Sequence, residues 1–423
     1  MSEFVIRGAN PLRGEIQVQG SKNGILPILA ASILVGGETL LHNCPDISDV
    51  SCALEILHAL GCKAERRGGD IYIDSRALNG YEIPDRLMKR MRSSVIFAGA
   101  MLGRTGNVRI SSPGGCFLGE RPIDYHIHAL RALGVDMEYD GEHYLCRALK
   151  LRGAQISLPF PSVGATENAI LAACTAEGSS IIYNAAREPE IADLADFLHR
   201  AGFEVNGAGG PTVIVSGGRS CGFVEYTVRG DRIAAGTLLC AAAASGGETT
   251  VRGIDSVRVS QLSHCLAEAG YAVRSWADAV RVSANGRPEA IAPVETNPYP
   301  GFSTDLQPPL MALMCFAKGE SIFIENIFES RYNHIESLLR MGARIQAFDR
   351  IAHVHGVPVL HGAHVDAGDL RAGAALITAA LGAQGETWIS DRGYIDRGYE
   401  HIEQTLSCLG ADIIRVNEND CGA

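Results

Sequence analysis

One interval governs this 423-residue chain. Apolar residues run into a glycine and then a short strand-like stretch at Leu60-Gly61, Leu133-Gly134, Ala201-Gly202, Ala269-Gly270, Met341-Gly342 and Leu409-Gly410. A second marker, a small apolar helix followed by glycine and a strand, falls at Gly37, Gly106, Gly178, Gly247, Gly319 and Gly385. Both keep a period of about 70 residues, and two markers with one period predict six copies of one supersecondary unit filling the chain.

Each copy reads helix, strand, helix, strand, strand. The first helix is apolar on nearly every side, as in Leu26 to Ala31, Ala169 to Ala173 and Ala374 to Ile377, and such a helix is buried. The second is amphipathic, with Ile56, Leu57 and Leu60, or Ile335, Leu338 and Leu339, spaced between charges. The pattern predicts an α/β protein with sheets outside and apolar helices within. Six copies exceed what one core usually holds, so two halves of three copies are expected, with the break near Gly222–Gly230. Residues 1–20 precede the first marker helix, and the pattern leaves open which half they join.

Composition narrows the chemistry. A formal net charge of −11 disfavours nucleic acid and anionic membranes as partners, while small anions can still bind a basic pocket. The first residues lack a signal-peptide pattern, and no apolar run approaches the roughly twenty residues needed to cross a bilayer. None of the 12 cysteines forms a Cys-x-x-Cys pair; Cys174, Cys240 and Cys315 lie in apolar surroundings and read as buried hydrophobes of a reduced, cytoplasmic protein. His42, His58, His128, His264 and the group His353, His355, His361 and His364 lack metal-type helical spacing, and no Walker or Rossmann fingerprint occurs.

The stretch Ser112-Pro113-Gly114-Gly115-Cys116 through Arg121-Pro122-Ile123-Asp124 sets a thiol in a glycine-flanked loop, followed by an arginine and a proline suited to open a helix. Near neutral pH a thiol with a pKa of about 8.5 can donate a proton or, as thiolate, attack. Cations also mark the helix starts: Lys22, Arg92 and Arg371 on first helices, and Arg121, Arg187, Arg331 and Arg397 on second helices. A single such arginine is most often a solvated side chain. The recurring set opposes the helix dipoles and asks for a ligand with several phosphates or carboxylates to compensate. Asp305 is the acid among them, either a helix cap or a general base ringed by cations.

These residues together resemble the UDP-N-acetylglucosamine enolpyruvyl transferases of the enolpyruvyl transferase family. The resemblance spans essentially the whole chain. It rests on Gly20-Ser21-Lys22-Asn23, the Cys116 loop, Ser162-Val163-Gly164-Ala165-Thr166, Glu188-Pro189-Glu190, Thr304-Asp305-Leu306-Gln307, Glu329-Ser330-Arg331, Asp369-Leu370-Arg371 and Ile395-Asp396-Arg397-Gly398-Tyr399-Glu400. It departs at Gly24 and Ile25, where small alanines are usual, and at Phe160, where some members carry lysine.

The resemblance implies an inside-out α/β barrel of six βαβαββ-type repeats in two three-fold domains. One domain would span 21–229 and the other 1–20 plus 230–423, with substrates in the interdomain cleft. It implies enolpyruvyl transfer from phosphoenolpyruvate to the 3-hydroxyl of UDP-N-acetylglucosamine in peptidoglycan synthesis, with no metal or other cofactor. Lys22, Arg121 and Arg397 would hold the phosphate of phosphoenolpyruvate, with Arg331 and Arg371 near its carboxylate and Asn23 also in its binding set. The UDP-sugar would meet Asn23, Arg92, Arg121, Pro122, Ile123, Asp124, Tyr125, Phe160, Pro161, Ser162, Val163, Gly164, Asp305 and Ile327. Asp305 would accept the hydroxyl proton and Cys116 would act both as general acid to the methylene carbon and as nucleophile in a covalent adduct, with Lys22 and Arg397 completing the catalytic set. A sister enolpyruvyl transferase of the shikimate pathway, a non-catalytic ring scaffold and a UDP-sugar sensor are the alternative readings.

Overall fold

The computed structural model describes residues 2–114 and 122–417. The six copies are present. Helix–strand–helix–strand–strand runs through Lys22–Val35, Glu38–His42, Ser48–Ala59, Lys63–Arg67 and Asp70–Asp74, returns whole four more times, and among the described residues lacks only its last strand in the sixth copy. The first marker has a backbone cause: Gly61, Gly134, Gly202, Gly270, Gly342 and Gly410 all sit at φ between 90° and 96°. That left-handed region ends a helix at little cost only where no Cβ is present.

The chain divides into two compact units at Gln19/Gly20 and Arg229/Gly230. In the N-terminal unit the helices Lys22–Val35, Phe97–Thr105 and Val163–Ala173 pack together, and their apolar faces make one core. Two four-stranded sheets and one three-stranded sheet belong to this unit. In the four-stranded ones a short strand pairs in parallel with the first strand of a copy, whose closing hairpin follows antiparallel. In the three-stranded sheet that parallel strand shrinks to one bridge, Glu82 with Arg109, because Pro84 two residues on cannot donate to a ladder.

In the C-terminal unit the helices Arg232–Ala244, Gln307–Met314 and Leu370–Gly382 fill a second core with three four-stranded sheets. Among the described residues the sixth copy stops at its strand Asp412–Asn417 and supplies no closing strand of its own. Ser2–Arg7 takes that place, antiparallel to both Glu386–Asp391 and Asp412–Asn417. Arg13–Gln17 also pairs here, in parallel with Glu248–Arg252.

Caps explain where the core helices begin. Ser21, Ser162, Asp231 and Asp369 each accept hydrogen bonds from backbone N–H groups of the first turn. Gln307–Met314 starts instead with Pro308 and Pro309, whose missing donors would be unpaired there in any case. Among the described residues no helix is long and apolar enough to cross a membrane. The expected α/β repeat architecture is borne out.

Candidate active site

In the C-terminal unit two arginines, Arg371 at a helix start and Arg331 in a turn, meet around one carboxylate. Asp305 lies two residues before the Gln307 helix, with its side chain 24 % exposed. Its Oδ1 accepts from Arg331 Nη2 at 2.5 Å and its Oδ2 from Arg371 Nη2 at 2.9 Å. Both arginines are buried. Arg331 also donates Nε and Nη2 to the Thr304 carbonyl, at 3.0 and 2.9 Å, and its guanidinium lies 5.6 Å from the Phe328 ring centre. Arg371 donates Nη1 to the Tyr399 hydroxyl, which in turn shares a 2.9 Å hydrogen bond with Thr237.

Burial alone would raise the Asp305 carboxyl, but Arg371 and Arg331 beside it outweigh burial and hold it well below the usual carboxylate range. In this arrangement Asp305 is ionised, pairs with two cations and is a weak base.

Glu325 orders the loop below. Its buried carboxylate accepts from Thr304 Oγ1 at 3.1 and 3.0 Å and from the backbone N–H groups of Ile327 and Phe328 at 2.9 and 3.0 Å. Ile327 is thereby fixed half-buried beside the Arg331 turn. Arg397 is half-buried in the short turn Ile395–Arg397.

The N-terminal unit holds a second set. Lys22 opens its helix and donates Nζ to Asp49 Oδ2 at 2.8 Å, both side chains at most 10 % exposed. Asn23 follows half-buried, and Pro27 cannot donate to its carbonyl as a helical residue otherwise would. Arg92 opens the 3-10 turn Arg92–Ile96 and donates Nη2 to the Pro122 carbonyl at 3.2 Å. Ile123 is buried, Tyr125 half-buried and Asp124 exposed at the start of Asp124–Ala132. Phe160 is 38 % exposed, and the Ser162 N–H turns back to its carbonyl around Pro161 at 2.7 Å. Ser162 then caps the helix carrying Val163 and Gly164 by accepting from the Ala165 N–H at 3.4 Å.

Cys116 and Arg121 lie outside the described residues. Three local expectations need correction. Pro122 precedes the helix by two residues instead of opening it. Arg331 and Arg397 lie in turns before their helices Ile335–Arg340 and Ile402–Cys408 and are not on the first helical turn. The compensating anion inferred for Lys22, Arg331 and Arg371 is also present inside the protein, as Asp49 and Asp305. Sequence reasoning missed Asp49, Glu325, Thr237 and the role of Tyr399. A carboxylate or hydroxyl buried through long-range pairing leaves no local signal, although Glu325 directly after the apolar run Ile322-Phe323-Ile324 was visible.

A family model described as EPSP synthase (3-phosphoshikimate 1-carboxyvinyltransferase) matches residues 6–406. UDP-N-acetylglucosamine 1-carboxyvinyltransferase 2 of Caldanaerobacter subterraneus subsp. tengcongensis is 46 % identical, over 98 % of this chain and all of the relative. UDP-N-acetylglucosamine 1-carboxyvinyltransferase 1 of Symbiobacterium thermophilum is 48 % identical, over 98 % of this chain and 95 % of the relative. Among solved structures, the enolpyruvyl transferase NikO from Streptomyces tendae superposes with a TM-score of 0.88 at 25 % identity, covering 98 % of this chain and 99 % of that one. EPSP synthase from Acinetobacter baumannii gives a TM-score of 0.75 at 18 % identity, over 99 % of this chain and 100 % of that one, a likeness of fold.

Proposed function

The chain belongs to the enolpyruvyl transferase family, and from that premise we infer that it transfers the enolpyruvyl group of phosphoenolpyruvate to the 3-hydroxyl of UDP-N-acetylglucosamine, releasing phosphate, in peptidoglycan synthesis. The observation that carries the chemistry is the paired carboxylate: Asp305 bridges Arg331 and Arg371 through its two oxygens.

On this reading Arg331 and Arg371 exchange Asp305 for the carboxylate of phosphoenolpyruvate. Losing part of that cationic pairing raises the proton affinity of Asp305. The aspartate then takes the proton of the sugar 3-hydroxyl while the oxygen bonds to C2 of phosphoenolpyruvate. The C2=C3 electron pair takes a proton at the methylene carbon, from the Cys116 thiol. The resulting tetrahedral adduct returns a proton from its new methyl group to the Cys116 thiolate and expels phosphate, which carries off the proton held by Asp305, leaving the enolpyruvyl ether. Lys22, Arg121 and Arg397 are assigned to the phosphate, whose charge grows as it leaves. The UDP-sugar is assigned to Asn23, Arg92, Arg121 to Tyr125, Phe160 to Gly164, Asp305 and Ile327.

The reading also confines the partners to these small molecules, without nucleic acid or membrane, and places the protein in the cytoplasm. Supporting it are the net charge of −11 and the free-thiol state of every cysteine among the described residues.

The test is phosphate release from phosphoenolpyruvate with UDP-N-acetylglucosamine, with shikimate 3-phosphate and with no acceptor. Release confined to the UDP-sugar, and lost in Asp305→Ala and Lys22→Ala, is the expected result. Folded protein that releases phosphate with shikimate 3-phosphate instead, or with neither acceptor, overturns the reading.

A further inference from the structure

Asn168 lies in the middle of the Val163–Ala173 helix and is fully buried among apolar neighbours, yet its amide is fully engaged. Oδ1 accepts from the Gly99 N–H at 2.6 Å, while Nδ2 donates to the Val95 carbonyl at 3.0 Å and to His126 Nδ1 at 2.9 Å. A backbone N–H only donates and a carbonyl only accepts, so the amide orientation is forced.

Val95 and Gly99 are four residues apart. Their carbonyl and N–H are the pair an α-helix would join directly. The Asn168 amide is spliced between them, where the 3-10 turn Arg92–Ile96 passes into the helix Phe97–Thr105. An insertion of this kind opens the ladder and sets the angle at which the preceding turn departs. Gly99 is the residue that admits it: a Cβ there would stand 2.5 Å from Asn168 Oδ1 and 2.4 Å from its carbonyl oxygen.

The third bond reaches another segment. Because Nδ2 donates to it, Nδ1 of His126 is an acceptor, and the neutral ring carries its proton on Nε2. The far edge of that ring lies against Gly164, where a Cβ would come within 3.0 Å of Cε1 and 3.3 Å of Nε2.

We propose that Asn168 is a positioning residue for nucleotide-sugar binding: one buried amide holds the Arg92 turn, the Tyr125-His126 helix start and the Ser162–Gly164 helix start in fixed register. The proposal rests on the function inferred above. An apolar side chain would fill the same space, but it would let the Val95–Gly99 bond close and swing Arg92 away. Asn168 touches neither substrate, so its loss acts on UDP-sugar affinity and leaves the groups assigned to phosphoenolpyruvate in place.

The experiment is steady-state kinetics of Asn168→Asp, which keeps the side-chain shape and removes the donors, beside Gly99→Ala, which leaves Asn168 intact and crowds its amide out of the ladder. Misplacement of a binding group by about 1 Å costs up to a hundredfold. Each variant is therefore expected to raise KM for UDP-N-acetylglucosamine between about tenfold and a hundredfold, with kcat and KM for phosphoenolpyruvate within about twofold of wild type. A loss of active protein or melting temperature with both KM values unchanged would make Asn168 an ordinary packing residue and overturn the proposal. If Asn168→Asp does not fold, Gly99→Ala decides by the same criteria. Wild-type protein inactive with the UDP-sugar would instead sink the functional reading, a distinct outcome.

Discussion

Replacing Arg331 by methionine is the sharpest probe of the carboxylate cluster. Methionine keeps most of the aliphatic volume and removes the guanidinium. Three hydrogen bonds vanish, two to the Thr304 carbonyl and one to Asp305, from a side chain only 2 % exposed. Removing one partner of a buried pair costs about 3–5 kcal/mol, because the other charge is left behind. Here the remaining charge is eased twice: Arg371 still donates to Asp305, and the aspartate side chain is 24 % exposed. The expected loss is therefore nearer about 2–4 kcal/mol. For a cooperative unit of about 200 residues, each kcal/mol lowers the melting temperature by about 2–4 °C, so the C-terminal unit should melt roughly 4–16 °C earlier in calorimetry. The control is a double-mutant cycle with Asp305→Asn. If the two side chains act as a pair, the double variant should be more stable than the sum of the single losses by more than about 0.5 kcal/mol. Additive losses, or an Arg331→Met loss below about 0.5 kcal/mol, would refute the view that Asp305 and Arg331 hold one another.

His334 supplies a prediction in pH. Burial pushes its imidazole down, and Arg331 nearby adds to that against the opposing pull of Asp369. A base whose folded pKa is depressed stabilises the fold above the unfolded value of about 6.5, and that contribution is lost as pH falls toward the folded value, by at most about 1.4 kcal/mol per pH unit. Wild-type melting temperature should therefore drop between pH 6.5 and 5 more steeply than that of His334→Gln, and parallel curves would sink the idea. Deleting the first seven residues removes Ser2–Arg7 from between two strands of the C-terminal unit. Two-step melting with only the C-terminal transition lowered is expected, and an unchanged transition would show that the sixth copy closes without it.

The repeat was legible because its markers are local. A glycine at positive φ and a cap of Ser or Asp act within one helical turn, so period and helix starts could be read directly. What escaped was pairing at long range. Counting glycines found a sixth copy but could not reveal that its closing strand comes from residues near the other end of the chain. Asn168 follows Thr166 and Glu167 on an otherwise apolar helix, and nothing in its neighbourhood names Val95, Gly99 or His126 as partners. The candidate site residues were assigned by resemblance to a family, whereas the anions facing Lys22 and Arg331 emerged only when the chain was folded.

The same pairing that hid from the sequence explains how an acidic protein keeps buried cations ready for anionic substrates. A guanidinium or ammonium at a helix start meets an opposing dipole and, once buried, a large desolvation cost. Asp305 and Asp49 offset that cost within the fold. Their oxygens occupy donors that a substrate carboxylate or phosphate would otherwise use. On the proposed function, binding would be an exchange of one anion for another, with a net gain smaller than the contacts alone suggest. At Asp305 the exchange has a chemical consequence. A carboxylate facing two guanidiniums cannot take a proton from an alcohol at neutral pH, whereas one relieved of them can. On the proposed function, coupling the release of the base to the arrival of the substrate carboxylate would keep Asp305 weakly basic until phosphoenolpyruvate is bound.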